Sequence, residues 1–364
     1  MARIRVLHIV WSATMGGIER LVLNLCKAQL QNPLLDVSVM IAKSEGPLLE
    51  EFKRLDLPLI EGGFRNGRDQ RTVITSRLSA CFAGFDVIHI HSYNPIIAKE
   101  AVRSNCKIVF TEHGNFGFGK KTTLSSLMVR FMLKRFLNHK VDYITFNSNF
   151  SKKIAEERFG LKNVTRKVIY NGVPEIDATS LNRVILKRNP GELIVGTVGR
   201  LAAVKRIDRV LTALSQISNS GIRLAIMGDG PLKEDLQTLS LQLEITEKVE
   251  FIATGDARAF MKEVDLCVLP SQNEAFGLVA IEAYQFGKPV LVFADGGGSA
   301  ELVSQIEPEM IVKDEKELAE KIKFIAEHSE IRTSATVIAA RKNFARQFSI
   351  EKMEAALLAV YQSL

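Results

Sequence analysis

Short apolar runs alternate along this chain with segments in which apolar residues recur every three or four positions. The runs read as strands and the periodic segments as helices, because side chains repeat about every 2 residues along a strand and about every 3.6 around a helix. In the first half the expected strands are Val6–Val10, Val37–Ile41, Val87–His91, Ile108–Thr111, Tyr143–Phe146 and Val168–Tyr170. Helices are expected between them over Ile18–Gln31, Ser76–Phe82, Leu124–Asn138 and Ser151–Phe159. In the second half the strands are Leu193–Val198, Leu224–Met227, Val249–Ile252, Leu266–Leu269, Val290–Phe293 and Met310–Val312, again with helices between. The strands are apolar at nearly every position, which predicts α/β architecture with parallel sheets covered on both faces.

Turn residues dominate Asn171-Gly-Val-Pro-Glu-Ile-Asp-Ala-Thr-Ser180 and Arg188-Asn-Pro-Gly191, so a hinge is expected there. It separates an N-terminal domain, residues 1–170, from a C-terminal domain, residues 171–347, each long enough for its own core. Residues 348–364 carry a strong helix pattern of their own. Two doubly wound domains facing each other would hold a ligand in the cleft between them, outside the carboxyl ends of the strands.

Composition changes this picture little. Of 364 residues, 46% are hydrophobic and 24% charged, an ordinary balance for a soluble globular protein. No apolar run approaches the roughly 20 residues of a membrane helix. The segment Met1–Trp11 is broken by His8 and followed by Gly16-Gly17, so it reads as a buried first strand rather than a signal peptide, and a cytoplasmic protein is expected. Cys26, Cys81, Cys106 and Cys267 are scattered, without the spacing of a zinc site or disulfide framework. The formal charge of +7 invites an anionic partner. Nucleic acid fits poorly, since no recognition motif is present; a diphosphate, or an anionic membrane surface, fits better.

The most informative stretch is Pro270-Ser-Gln-Asn-Glu-Ala-Phe-Gly-Leu-Val-Ala-Ile-Glu-Ala-Tyr-Gln-Phe-Gly-Lys-Pro289. Asp265–Leu269 before it is strand-like, and Phe276–Tyr284 reads as a short helix stopped by Gly287 and Pro289. Glu274 would then precede the helix and Glu282 lie about two turns into it, a separation of roughly 9–12 Å. The amides of Gly277 and Leu278 fall between, at the positive end of the helix dipole, where a phosphate binds well. A sugar hydroxyl, a diphosphate and a ribose fit that spacing. Taken alone, the two glutamates read rather as a dipole-favouring charge and a solvated helix residue.

The segment resembles the Glu-x7-Glu signature of retaining GT-B glycosyltransferases, family 4 in particular. Carboxylate spacing, Phe276-Gly277 and Gly287-Lys288-Pro289 all agree, with Ala275 where the family usually has glycine. Further segments carry the likeness over nearly the whole chain. Gly16-Gly17, locally a tight strand-to-helix turn, is similar to the family's loop at the donor phosphates. Gly199-Arg200-Leu…Lys205-Arg206 resembles its phosphate-binding pair, with Arg206 replacing the usual glycine. Arg200 and Lys205 would then neutralise charge on the leaving diphosphate, while Arg206 and Arg209 are expected in solvent. His113 in Thr111-Glu-His-Gly114, by itself more often structural, corresponds by the resemblance to a histidine holding a sugar hydroxyl or the acceptor. Gly228 lies in a Gly-x-Gly-Pro turn beside the nucleotide, and Ala253 ends a segment expected near the base. His89-Ile-His91 places two imidazoles on one strand face; with no third ligand apparent, no metal is expected.

The helix 124–140 has an apolar stripe together with Arg130, Lys134, Arg135 and Lys140. Packing into the core is expected ahead of contact with lipid, although a basic amphipathic helix can do either.

The resemblance implies two Rossmann-like domains in GT-B arrangement, with residues 348–364 crossing back to the first. It implies retaining, metal-independent transfer of a hexose-type sugar from a UDP- or GDP-linked donor to a glycan or lipid-linked acceptor. No cofactor is implied, and the setting would be bacterial surface polysaccharide or lipopolysaccharide synthesis. In that reading Glu274, His113, Arg200 and Lys205 are catalytic, while Gly16, Gly17, Gly228, Ala253, Phe276, Gly277, Leu278 and Glu282 join in holding the donor. The alternative is a non-catalytic subunit that kept the pocket; a dinucleotide oxidoreductase is disfavoured because neither half contains GxGxxG.

Overall fold

The computed structural model describes residues 3–364 except 15, 67–71, 115–122, 177–180, 182, 183, 185, 219, 220 and 254, so part of the expected hinge lies outside the described residues. The chain forms two units, Met1–Pro174 with Ser349–Leu364, and Glu175–Phe348.

The first unit is built on seven parallel strands: β1 (Ile4–Val10), β2 (Leu35–Ile41), β3 (Leu59–Glu61), β4 (Val87–Ile90), β5 (Lys107–Glu112), β6 (Tyr143–Phe146) and β7 (Thr165–Val168). Their order is β3-β2-β1-β4-β5-β6-β7. Along β1, Leu7 and Ile9 enter one core while Val6 and Val10 enter the other. Both faces are thus covered, which is why the strand is apolar at successive positions. The order reverses between β1 and β4, and such a reversal opens a crevice at the strand carboxyl ends.

The last helix, Ile350–Gln362, belongs to this unit and buries Ile350, Met353, Leu357, Val360 and Tyr361. Ser349 caps it by accepting from the Lys352 amide, and Asn32 Nδ2 donates to Glu354 at 2.8 Å. It shares one core with Leu21, Leu25 and Cys26 of the helix Gly17–Gln29.

The second unit carries six parallel strands, β8 (Leu193–Val198), β9 (Ile222–Met227), β10 (Val249–Ile252), β11 (Leu266–Leu269), β12 (Val290–Phe293) and β13 (Ile311–Val312). Their order β10-β9-β8-β11-β12-β13 reverses between β8 and β11.

Three expectations need correcting. Strand β3 was not foreseen, and β7 lies three residues before the expected Val168–Tyr170. Both are edge strands; β3 is only three residues long, and β7 is Thr-Arg-Lys-Val with alternate residues exposed, so neither carries a continuous apolar signature. Arg209 is not solvated: it is 7% exposed, donates to Asp295 and Glu315, and lies 3.4 Å from the centre of the Phe293 ring. The helix Leu124–His139 buries only Phe136 and Leu137, leaving Leu124, Leu127, Met128, Val129, Phe131 and Met132 40–85% exposed. Its apolar residues are too many and too evenly spread for one buried stripe. No described helix is long and apolar enough to cross a membrane, and all four cysteines are free.

Candidate functional site

In the second unit the chemistry gathers where the strand order reverses. After β8 come Gly199, Arg200 and the short helix Ala203–Lys205. Arg200 is exposed and forms no ion pair among the described residues. Arg206 sits at φ 47, ψ 40, the left-handed region that glycine enters without cost. Its guanidinium pairs with Asp208 at 3.0 Å.

After β11 the loop reaches Glu274, whose Oε2 accepts from Lys205 Nζ at 2.5 Å. Burial pushes the Glu274 carboxyl up, but the Lys205 charge and hydrogen bonds from Lys205 and Ser271 outweigh it and hold the group below its usual range. The backbone around it is tied on both sides. Gln272 N donates to Val204 O at 3.2 Å, Asn273 N to Asp295 O at 2.9 Å, and Gly298 N to Glu274 O at 2.7 Å. Gly277 has φ +95, and a Cβ there would lie 2.6 Å from Ser299 Oγ. Ala275 is not among the residues with positive φ, so its methyl costs no backbone strain.

The helix begins at Leu278, two residues later than expected, and runs to Gln285. Glu282 is therefore its fifth residue, little more than one turn in. No hydrogen bond to the Glu282 carboxyl is present among the described residues. Burial raises its pKa to about 7, with Arg258 pulling it down and Asp256 pushing it up. Arg258 and Asp256 were missed from the sequence. Asp256 caps the helix Ala257–Glu263 and pairs with Arg258 at 3.2 Å, an arrangement that its cap position could have signalled.

The remaining donor-side residues vary in what they offer. Gly228 has φ +154, and a Cβ would lie 2.0 Å from Gly199 O, so the turns after β8 and β9 need it to interlock. Phe276 is 2% exposed and its ring packs 6.1 Å from that of Phe348, so only its backbone can meet a ligand. Ala253 is exposed just past β10.

In the first unit Gly16 is extended and opens the helix Gly17–Gln29; a Cβ there would lie 2.2 Å from Glu19 Oε2. A Cβ on Gly17 would meet nothing within 4 Å. Space beside that helix start is therefore open, and packing does not demand glycine at Gly17.

His113, after β5, ends a cluster of four imidazoles. His91 Nδ1 and His113 Nε2 are 3.0 Å apart, and His8 Nδ1 and His91 Nε2 2.9 Å. His89 lies between Tyr361 and Thr111 at 2.7 and 2.6 Å. Strand register sets His8 beside His89, and His89 and His91 do share a face, with ring centres 4.1 Å apart. His8 thus supplies the third imidazole that the sequence had not revealed: ligand atoms of His8, His89 and His91 lie within 4.8 Å of one another. All six of their nitrogens are already hydrogen-bonded, to each other or to Gln29, Thr111, Tyr361 and His113, and a cation would have to displace those bonds.

Arg200, Lys205, Gly228, Glu274, Gly277 and Glu282 thus belong to one unit, and Gly16, Gly17 and His113 to the other.

The family profile described as "Glycosyl transferases group 1" matches residues 179–342, and "Glycosyltransferase Family 4" matches residues 15–175. An uncharacterised glycosyltransferase of Methanocaldococcus jannaschii is 29% identical over 239 residues, 58% of each chain. The O-antigen biosynthesis glycosyltransferase WclY of Escherichia coli is 27% identical over 218 residues, 57% of this chain and 60% of that one. The matches thus span less than two thirds of these relatives' length. The crystal structure of Anabaena HepE in complex with UDP and glucose superposes with a TM-score of 0.82 at 19% identity, covering 100% of both chains. The fold is GT-B, with Rossmann-like domains. The chain belongs to the group 1, family 4 glycosyltransferases.

Proposed function

We propose that the protein transfers a hexose-type sugar, with retention, from a nucleoside-diphosphate sugar to a glycan or lipid-linked acceptor. One observation carries this reading: a single strand-order reversal brings cations Arg200 and Lys205 after β8 and carboxylates Glu274 and Glu282 after β11. Arg200, Lys205 and the first amides of the helix Leu278–Gln285 neutralise the departing diphosphate, so no metal ion is needed. Glu274, kept ionised by Lys205, accepts from donor-sugar hydroxyls. Glu282 accepts from the ribose, and His113 meets a sugar hydroxyl. The acceptor hydroxyl attacks the anomeric carbon on the face the diphosphate leaves, passing its proton to the departing phosphate oxygen; no covalent enzyme intermediate forms. UDP is the favoured carrier, supported by the UDP in the HepE structure, with GDP the other choice. Surface polysaccharide or lipopolysaccharide assembly is supported by the O-antigen role in the name of WclY. The exposed apolar face of the helix Leu124–His139, with Arg130, Lys134 and Arg135, supports peripheral contact with an anionic membrane.

The deciding experiment offers UDP-, GDP- and ADP-sugars with and without EDTA and follows donor cleavage and product anomeric configuration. Cleavage of one class with retention, unaffected by chelation, is expected. No turnover of any donor, an inverted product, or activity restored only by Mg²⁺ or Mn²⁺ would sink the corresponding part of the proposal.

A further inference from the structure

Three imidazoles of the first unit, His8, His91 and His113, are joined in a line with one loose end. His8 Nε2 meets Gln29 Oε1 at 2.7 Å; His8 Nδ1 meets His91 Nε2 at 2.9 Å; His91 Nδ1 meets His113 Nε2 at 3.0 Å. Among the described residues His113 Nδ1 is buried without a partner, although the ring as a whole is only partly buried just after β5. Burial lowers His8 and His113 to about 4, and His89 and His91 well below their ordinary value, so all four rings are neutral at pH 7.

A neutral imidazole has one donor nitrogen and one acceptor, so assigning one ring assigns the line. Gln29 Oε1 only accepts, so His8 Nε2 carries the hydrogen. His8 Nδ1 must then accept from His91 Nε2, and His91 Nδ1 from His113 Nε2. What remains at the end is a lone pair on His113 Nδ1. The amide orientation of Gln29 is the one found in the structure, with Oε1 at 2.7 Å from His8 Nε2. Its Nε2 is buried with no hydrogen-bond partner among the described residues.

We infer that Gln29, His8 and His91 are positioning residues that hold His113 in its Nε2-protonated form, so that Nδ1 receives an O–H donor, a sugar hydroxyl, and rejects a phosphate oxygen. A phosphate oxygen there would set lone pair against lone pair and leave the buried nitrogen unsatisfied. This rests on the role given to His113 in the proposed function, but its first readout does not.

Long-range ¹H–¹⁵N spectra of the full chain at pH 7 report the tautomer of each ring. His113 should be Nε2-protonated in the wild type and in Gln29→Glu, which keeps an acceptor, and mixed in Gln29→Leu. With a sugar donor, Gln29→Leu should lose about tenfold in kcat/KM, the scale of one hydrogen bond. Its affinity for nucleoside diphosphate alone should not move, and Gln29→Glu should retain turnover. Nδ1-protonated His113 in the wild type would overturn the inference, and that spectrum decides the matter even if Gln29→Leu does not fold. An unchanged tautomer in folded Gln29→Leu, or an altered tautomer with undiminished turnover, would overturn it as well. A chain that cleaves no sugar donor would sink the proposed function alone, and the spectra would still support or overturn the ordering of the rings.

Discussion

Glu274 and Glu282 are eight positions apart and titrate in opposite directions. Lys205 and Ser271 keep the first ionised against burial, while the second, without a hydrogen-bond partner among the described residues, is raised to about 7. A group whose folded pKa lies above its unfolded one stabilises at low pH, and the gain is lost as pH rises, here between about 4.5 and 7. Ribose hydroxyls need the ionised form, so nucleoside-diphosphate affinity should rise about tenfold from pH 6 to pH 8. Titration calorimetry should find that rise flattened in Glu282→Gln; an equal rise in the variant would place its origin elsewhere. Glu282→Ala should weaken nucleotide binding ten- to hundredfold, and Glu274→Ala should chiefly lower turnover, the scale of a buried hydroxyl–carboxylate bond of about 1.5–3 kcal/mol. The reverse pattern would exchange the two roles. The histidines obey the opposite sign. The His8 ring, 0% exposed, has a folded pKa of about 4 against an unfolded 6.5, so the unfolded chain takes the proton first. Stability is lost as pH falls from about 6.5 to 4, by about 3 kcal/mol for this ring. Acid unfolding should therefore shift to lower pH in His8→Gln; an unmoved or higher midpoint would refute a buried neutral ring.

At the scale of elements, strands with an apolar run were legible and short or polar ones were not. Leu193–Val198, Leu266–Leu269 and Val290–Phe293 agree with their expected limits because both faces are covered and nearly every residue is apolar, and the edge strand Val249–Ile252 agrees because three of its four residues are apolar. Leu59–Glu61 is only three residues long, and three of the four residues of Thr165–Val168 are polar, so in both the signal fails. The same contrast runs through the site. Residues next in sequence to a strand end, such as Glu274 and Lys205, could be placed by motif. His8 could not, since its partners arrive through strand pairing 81 and 83 residues away. Arg209 was misjudged because its acids come from Asp295 and Glu315. The helix Leu124–His139 was misjudged from its apolar content alone. If it meets lipid, the chain should sediment with vesicles containing phosphatidylglycerol, and Leu127→Ser with Phe131→Ser should abolish this without lowering turnover of a soluble acceptor. Equal sedimentation of the double variant would discount that face.

At the scale of the whole molecule, the first unit is assembled from both ends of the described chain. The helix Ile350–Gln362 contributes five buried side chains, including Tyr361 against His89. At about 1.5–3 kcal/mol each their burial is worth roughly 10 kcal/mol, comparable to the stability of a typical domain. Ending the chain at Phe348 should therefore melt the first unit and spare the second. Amide exchange on the truncated protein should show protection lost in β1–β7 and kept in β8–β13; a protected β1 would contradict this.

The split also fixes an order of events at the ribosome. Residues 175–348 emerge as an uninterrupted stretch and can fold while synthesis continues, whereas the strands before them wait for Ser349–Leu364. With 364 − 174 = 190 residues between Pro174 and Leu364, and translation at about 5–20 residues per second, that wait lasts roughly 10–40 s. The nascent N-terminal sheet spends that interval with the face meant for the last helix uncovered. Chaperone dependence in this protein should therefore concentrate on the half that is made first and finished last.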